Sequence, residues 1–195
     1  VEGSIARSSD VLRLRDIRER AGLVVALGAC AHLGGVNAIR NGQQLEVMQE
    51  IVYGDKGEWF PVVNAHPISD LIEVDAVVPG CPIDRTEFIN IVEALLQGRQ
   101  PLTPEYPLCI ECKLHENVCM FDRGEVCLGP IVSAGCGAIC PAYGVGCEGC
   151  RGLIAEPQME PFCQVLSEHG LSEAEIAMKL SMFMNNQTVF EREKA

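Results

Sequence analysis

The chain has 195 residues, of which 48% are hydrophobic, enough for one ordinary domain or for one domain with a smaller appendage. Fifteen Lys and Arg residues against 27 Asp and Glu residues give a net charge of −12, which disfavours nucleic acid and anionic membranes as partners. No apolar run reaches the length of a membrane-spanning helix, and no signal peptide is visible, although the missing initiator methionine suggests that the true start lies upstream.

The first hundred residues show the alternating pattern of an α/β domain. In chain order we expect a strand end over 1–5, a helix over 11–21, a strand over 23–27, a helix over 45–53 closed by Gly54, a strand over 72–78 and a helix ending before Gly98. Ser8, Ser9 and Asp10 are candidate N-caps for the first helix, and Asp84-x-x-Glu87 forms an acidic variant of the capping box for the last. The first main strand, 23–27, is a continuous apolar run, as in a parallel sheet that is buried on both faces, and 72–78 is a second apolar strand.

A cysteine follows each of these two strands at its carboxyl end. Cys30 ends the sequence Gly28-Ala29-Cys30, and Cys81 lies in Gly80-Cys81-Pro82. Because open α/β sheets bind ligands at the carboxyl ends of their strands, both cysteines are expected to face one site, although about 50 residues separate them. Free cysteines are also commonly buried as small hydrophobic residues, so this alternative stays open for the pair.

A proline-rich linker over 100–107 divides the chain into an N-terminal domain, 1–100, and a C-terminal domain, 101–195. The C-terminal domain begins with a cysteine-rich stretch that is mostly irregular. Two helices are predicted after it, over 159–169 and 172–185, with Gly170 between them and Ser172-x-x-Glu175 as the capping box of the second.

Eight of the 11 cysteines are concentrated in the cysteine-rich stretch. Their spacing is C-x2-C-x6-C-x7-C-x8-C-x3-C-x6-C-x2-C, formed by Cys109, Cys112, Cys119, Cys127, Cys136, Cys140, Cys147 and Cys150. Eight thiolates suffice for two four-ligand metal centres, and the stretch carries too little apolar mass to fold alone. We therefore expect metal, rather than a hydrophobic core, to organise this region.

The spacing allows iron–sulfur clusters, zinc or disulfides. Structural zinc sites commonly use two CxxC pairs about 15–20 residues apart, whereas the two outer pairs here are further apart and enclose four more cysteines. Two zinc sites remain open on the count of ligands, and disulfides are disfavoured because the cysteines are clustered. The sequence Cys136-x3-Cys140-Pro141 matches the end of a bacterial iron–sulfur run, which favours iron–sulfur clusters.

These motifs together resemble a known family over nearly the whole chain. The matching pieces are Val1-Glu2-Gly3-Ser4-Ile5, Ala26-Leu27-Gly28-Ala29-Cys30-Ala31, Gly35-Val36, Pro79-Gly80-Cys81-Pro82, Cys109-Ile110-Glu111-Cys112, Cys127-Leu128-Gly129-Pro130 and Cys150-Arg151-Gly152. The chain resembles the small, electron-transferring subunit of nickel–iron hydrogenases, above all the cytosolic group 3 enzymes with their sulfhydrogenase delta-like and methyl-viologen-reducing hydrogenase gamma-like subunits. The resemblance implies a flavodoxin-like parallel-sheet domain followed by an iron–sulfur domain with C-terminal helices.

The resemblance also implies which cysteines bind which cluster. Cys30 and Cys81 match two ligands of a proximal cluster, whose remaining C-x-x-C pair is expected upstream of Val1. The distal 4Fe–4S cluster would be bound by Cys109, Cys112, Cys119 and Cys127, and the medial 4Fe–4S cluster by Cys136, Cys140, Cys147 and Cys150. Periplasmic relatives have a histidine in place of Cys109 and lack the ligand that Cys140 supplies, so all-cysteine ligation and low potentials are expected here.

The implied function is electron relay in the cytoplasm between a nickel–iron large subunit, where H2 is activated, and an acceptor. That acceptor is a diaphorase, a ferredoxin-like protein or a heterodisulfide reductase. The net reaction is reversible H2 oxidation, with the catalytic metal in the large subunit and no catalytic residue in this chain. A complex I-like cluster subunit is one alternative, disfavoured by the eight-cysteine extension, and a zinc-stabilised interaction module is another.

Other residues near the expected ligands are weighed against ordinary structural roles. Cys163, on a predicted helix, is expected to be structural. His32 and His115 are expected to be solvated or hydrogen-bonded rather than ligands, while for Glu2 a place beside the proximal cluster and a plain surface role are equally open. The stretch 28–35 lacks the Gly-Lys-Ser/Thr of a phosphate-binding loop, so no nucleotide site is expected there.

Overall fold

The computed structural model describes residues 1–187 and places a small parallel sheet at the centre of the N-terminal part. Strands β1 (Val25–Leu27) and β2 (Ala76–Val78) pair in parallel, with Val25 opposite Ala76 and Leu27 opposite Val78. The start of the chain adds to the other side of β1, where Glu2 forms a parallel bridge with Leu27. The predicted parallel α/β arrangement is therefore confirmed.

Both strands are shorter than the predicted ranges, 23–27 and 72–78. The residues before β2 are held by a 3-10 helix, Ile68–Asp70, and the backbone N–H of Ile72 donates to the carbonyl of Ile68. Ile72 therefore belongs to a turn and not to the strand. Apolar residues in a sequence indicate burial, and in this protein the buried residues extend beyond those that pair in the sheet.

The predicted helices of the N-terminal part are found at nearly the expected positions, with one helix added. They are α1 (Ser8–Arg20), α2 (Gly28–Leu33), α3 (Leu45–Tyr53) and α4 (Arg85–Leu96), of which α2 was not predicted, and further 3-10 helices lie at Gly35–Gly42 and Gly54–Trp59. The predicted N-cap of α1 is wrong: Arg7 occupies that position, and the Asp10 carboxylate inside the first turn accepts the backbone N–H groups of Ala6 and Arg7. The cap of α4 is half confirmed, because Asp84 accepts the Glu87 N–H while the Glu87 carboxylate binds elsewhere.

The C-terminal part is mostly irregular until its last two helices. Its elements are α5 (Cys109–Leu114), a 3-10 helix at Phe121–Arg123, α6 (Ile139–Ala142), α7 (Met159–Glu168) and α8 (Glu173–Met184). The predicted capping box of α8 is confirmed, since the Ser172 hydroxyl accepts the Glu175 N–H and the Glu175 carboxylate accepts the Ser172 N–H. Among residues 1–187, no helix is both long and apolar enough to cross a membrane.

Two clusters of buried side chains hold the molecule together. The first cluster lies around the sheet and is formed by residues from Ile5 to Ile72 of the sequence. The second is formed by residues from Leu108 to Met184. The second cluster packs Leu128 and Ile131 of the cysteine-rich stretch against Leu166 of α7 and Leu180 of α8. The expectation that metal organises this stretch in place of a hydrophobic core is corrected here, because a core is present and the two C-terminal helices supply the apolar surface that the stretch lacks by itself.

The end of α8 returns to the N-terminal part of the chain. The Asn185 side chain donates to the Ala38 carbonyl, and the Asn186 side chain donates to the carbonyls of Leu33 and Ala65. Asn186 also accepts a hydrogen bond from the side chain of Asn41. These contacts position the cysteine-rich stretch, which packs on α8, against the carboxyl edge of the sheet.

Candidate iron–sulfur cluster sites

Cys30 and Cys81 meet at the carboxyl edge of the sheet. The turns after β1 and β2 are joined by the Ala29 N–H, which donates to the Gly80 carbonyl at 2.9 Å. Burial, the Cys81 thiol and the Glu2 carboxylate raise the pKa of Cys30, while the Val36 N–H, which donates to its sulfur, opposes the rise. The structure thus brings this predicted pair together, and it places Glu2 beside them.

The distal set, Cys109, Cys112, Cys119 and Cys127, lines a single cavity of about 460 Å³. The first two cysteines lie on α5 three residues apart, a spacing that puts both side chains on one face of a helix. The third lies in the exposed loop after α5, and the fourth is buried on the far side. Gly129 keeps the wall thin, since a Cβ there would lie 3.3 Å from the Cys109 sulfur and 3.4 Å from the Cys127 sulfur.

The four thiols of the distal set influence one another. Burial raises the pKa of the Cys109 thiol to about 11, and the other three thiols contribute to the rise. Burial also raises the pKa of Cys127, although the backbone N–H groups of Cys147 and Gly129 donate to its sulfur and favour the thiolate. Four thiolates crowded in a partly buried site need a compensating positive charge, which a bound metal centre provides.

The medial set, Cys136, Cys140, Cys147 and Cys150, lines a second cavity of about 360 Å³. Cys140 lies on α6, and Cys147 is buried, whereas the other two thiols are partly exposed in loops. Burial raises the pKa of Cys147 most strongly, with smaller contributions from Cys127, Cys150 and Cys136. Burial likewise raises the pKa of Cys140 and Cys150, and in both cases the Cys136 thiol adds to the rise.

The medial cavity also reaches the proximal pair. Cys81 lies on its wall, and the backbone N–H of Cys81 donates to the sulfur of Cys150. The medial set is linked to the distal set as well, since the Cys147 N–H donates to the Cys127 sulfur at 3.2 Å and the Leu128 N–H donates to the Cys147 carbonyl at 2.9 Å. The three groups of cysteines are therefore adjacent in the order proximal, medial, distal.

Several charged residues near the medial set were not singled out from the sequence. The guanidinium of Arg151 is buried and forms two hydrogen bonds to Glu87 of α4, each 2.7 Å long. Glu148, next to Cys147, forms an ion pair with Lys179 of α8. Arg151 stood in a matched motif, but its partner is 64 residues away in sequence, and nothing local predicts that contact.

The remaining candidates have ordinary structural surroundings. Cys163 lies on α7 and packs against the second hydrophobic cluster, away from both cavities. The ring of His115 contacts the Gly137 carbonyl at 2.9 Å through Nδ1. Burial, followed by the nearby charge of Arg151, lowers the pKa of His32 and favours its neutral form.

The donor sets fit polynuclear clusters better than single ions. All eleven cysteines lie within residues 1–187 and none is bridged, so the disulfide interpretation is wrong. Within the same residues, no three His, Cys, Asp or Glu side chains converge closely enough to hold one metal ion. Each four-cysteine set instead surrounds a cavity, with backbone N–H groups directed at sulfur, as expected for a thiolate-bound iron–sulfur cluster.

A parallel α/β sheet carries two cysteines at its carboxyl edge, and two cavities lined by four clustered cysteines each follow it, an arrangement that fits an iron–sulfur protein. Comparison with known proteins gives the family. Residues 1–95 match the model described as NADH ubiquinone oxidoreductase, 20 Kd subunit, so the match ends before the first of the eight clustered cysteines.

The relatives cover both parts of the chain. Sulfhydrogenase 2 subunit delta of Pyrococcus furiosus is 36% identical over 184 residues, which is 94% of this chain and 76% of the relative. A vhu subunit of the F420-non-reducing hydrogenase of Methanocaldococcus jannaschii is 35% identical over 181 residues, covering 78% of this chain and 63% of the relative. The chain therefore belongs to the family of group 3 nickel–iron hydrogenase small subunits that includes the sulfhydrogenase delta subunits.

A solved structure supports the fold alone. A chain of the actinobacterial-type NiFe-hydrogenase from Ralstonia eutropha H16 superimposes with a TM-score of 0.52 at 17% identity, over 99% of this chain and 70% of that one. The α/β sheet domain followed by an irregular cysteine-rich part is thus a known architecture.

Proposed function

We propose that this protein is the electron-transfer subunit of a nickel–iron hydrogenase that works in the cytoplasm. It relays electrons between the H2-activating site of a large subunit and a separate acceptor, which is a diaphorase, a ferredoxin-like protein or a heterodisulfide reductase. One observation carries the proposal: in a member of this family, eight cysteines form two sets of four, and each set lines a cavity of its own.

The residues divide the work of holding three clusters. Cys30 and Cys81 would contribute to the proximal cluster, and the distal and medial sets would each hold one all-cysteine 4Fe–4S cluster. Such clusters supply one-electron transfer at low potential when bound. The division into an N-terminal domain, 1–100, and a C-terminal domain, 101–195, is part of the same proposal and is supported by the two separate hydrophobic clusters.

The residues around the sulfurs stabilise their charge and limit the access of water. Backbone N–H groups donate to the sulfurs of Cys127 and Cys150, which stabilises their negative charge. The buried side chains of Leu128 and Ile131 in the second hydrophobic cluster limit the access of water from the core side. Cys119 and Cys140 are exposed, so each set has one side open to solvent or to a partner.

The proposal is tested on the complex of the full chain with its large subunit. Cys119→Ala removes an exposed ligand of the distal set, Cys140→Ala removes an exposed ligand of the medial set, and Cys163→Ala is the matched control outside both sets. We expect H2-dependent reduction of an external dye to fall in the first two variants only. Exchange between H2 and D2, which belongs to the large subunit, should persist in all three.

Two results would contradict the proposal. Dye reduction at the wild-type rate in both ligand variants would show that the two sets carry no electrons to the acceptor. A colourless protein that contains zinc and no iron would instead support the zinc-stabilised interaction module.

A further inference from the structure

A permanent positive charge lies inside the wall of the medial cavity. The side chain of Arg151 is 3% exposed, and it follows directly the last cysteine of the set. Its Nε donates to the Ala134 carbonyl at 2.7 Å, and its two terminal nitrogens donate to the two carboxylate oxygens of Glu87. A guanidinium group keeps its proton at any physiological pH, so this charge is always present.

The loop that carries Cys136 is shaped around this guanidinium. Gly135, with a φ of +117°, precedes that cysteine. A Cβ at Gly135 would lie 2.2 Å from Nη2 of Arg151, 2.8 Å from its Cζ and 3.1 Å from Oε1 of Glu87. Only glycine therefore allows the cysteine loop to approach the ion pair this closely.

The charge lies close to the thiols of the set. Arg151 directly follows Cys150 in the chain, and its side chain lines the same cavity as the four cysteines. Lys113, which follows Cys112 of the distal set on α5, is exposed, so water and salt screen its charge. The two all-cysteine sets therefore differ in their electrostatic surroundings, because a buried charge is screened much less than an exposed one.

We propose that Arg151 is a positioning residue that sets the reduction potential of the medial cluster, with Glu87 of the N-terminal part as its opposing charge. The inference rests on the proposed function, since it requires a cluster bound by the medial set. One-electron reduction makes that cluster more negative, so the nearby cation stabilises the reduced form and the nearby carboxylate destabilises it. Removing the charge of Arg151 should therefore lower the reduction potential of the medial cluster, and removing the charge of Glu87 should raise it.

The test is a potentiometric titration, followed by EPR, of the anaerobically purified complex that contains the full chain. Signals altered by Cys140→Ser identify the medial cluster, and those altered by Cys119→Ser identify the distal one. Arg151→Gln should reduce the one-electron reduction equilibrium constant of the medial cluster about tenfold, which is a fall of about 59 mV. Glu87→Gln should raise the potential, because Arg151 keeps its charge and its bond to the Ala134 carbonyl.

Two further variants separate charge from structure. Arg151→Lys keeps the charge and should shift the medial potential less than Arg151→Gln. Arg18→Gln removes an equal charge from the ion pair with Asp75, just before the amino end of β2, and should leave the potential unchanged. The distal cluster serves as an internal reference in every titration.

The inference is overturned if Arg151→Gln and Glu87→Gln shift the medial potential in the same direction, or do not shift it, at wild-type iron content. If the Arg151→Gln protein loses its clusters, the Glu87→Gln variant decides: a higher medial potential supports the inference, and an unchanged or lower one overturns it. A wild-type complex whose small subunit holds no iron or sulfide would overturn the proposed function itself, which is a different result.

Discussion

Gly146 is the position where a single added methyl group should disrupt both four-cysteine sets. It precedes Cys147 of the medial set, and it packs against the backbone before Cys127 of the distal set. A Cβ on Gly146 would lie 1.9 Å from the carbonyl oxygen of Val126 and 2.9 Å from its carbonyl carbon. Overpacking a protein interior typically costs about 1–3 kcal/mol, and we expect the upper end here because the obstructing atoms belong to the backbone.

The Gly146→Ala substitution should therefore destabilise the chain by about 3 kcal/mol, a change of roughly a hundredfold in the unfolding equilibrium. The backbone shift would also break the hydrogen bond from the Cys147 N–H to the Cys127 sulfur. We expect a lower urea midpoint and a lower iron content in the anaerobically reconstituted protein.

The matched control is Gly22→Ala. Gly22 has no positive φ, and an added Cβ would meet nothing within 4 Å. This control should change the free energy of unfolding by no more than about 0.5 kcal/mol. A Gly146→Ala protein with the iron content and urea midpoint of the control would refute the reasoning that the two sets share this close backbone contact.

Three further substitutions test the packing, the electrostatics and the division of the cysteines. Leu180→Ala should cost about 2–5 kcal/mol in urea denaturation because that side chain is fully buried in the second hydrophobic cluster, whereas Leu102→Ala, at a 97% exposed position, should be neutral. Hydrogen bonds from Arg18 and the backbone lower the pKa of Asp75, so its contribution to stability is present above pH about 4 and is lost as pH falls through the folded pKa. Asp75→Asn should therefore flatten the dependence of the urea midpoint on pH in that range, and a slope equal to wild type would contradict this. Cys163→Ser should retain the wild-type iron content, while serine in either four-cysteine set should lower it.

Much of the fold could be predicted because its determinants are local. The capping box of α8 and the glycine after α3 define helix ends within a few residues, and the structure agrees with both. The grouping of the cysteines was implied by the family resemblance, and in the structure each consecutive set of four lines a cavity of its own. Their roles as cluster ligands stay a prediction.

The remaining features depend on contacts between distant residues. The Glu87 carboxylate was predicted to cap α4, but the buried guanidinium of Arg151 provides a stronger, charge-assisted partner. Helices α7 and α8 were predicted from the glycine between them and the capping box of the second, and such signals do not show what a helix packs against. The core that these helices form with the cysteine-rich stretch was therefore missed.

The most direct test of the electron-relay function is the iron and acid-labile sulfide content of the anaerobically purified wild-type protein. Two 4Fe–4S clusters on the eight clustered cysteines predict about eight iron and about eight sulfide per chain, before any contribution from the proximal pair. Zinc in place of iron, or a chain without acid-labile sulfide, would contradict the central claim that these cysteines hold electron-transferring clusters.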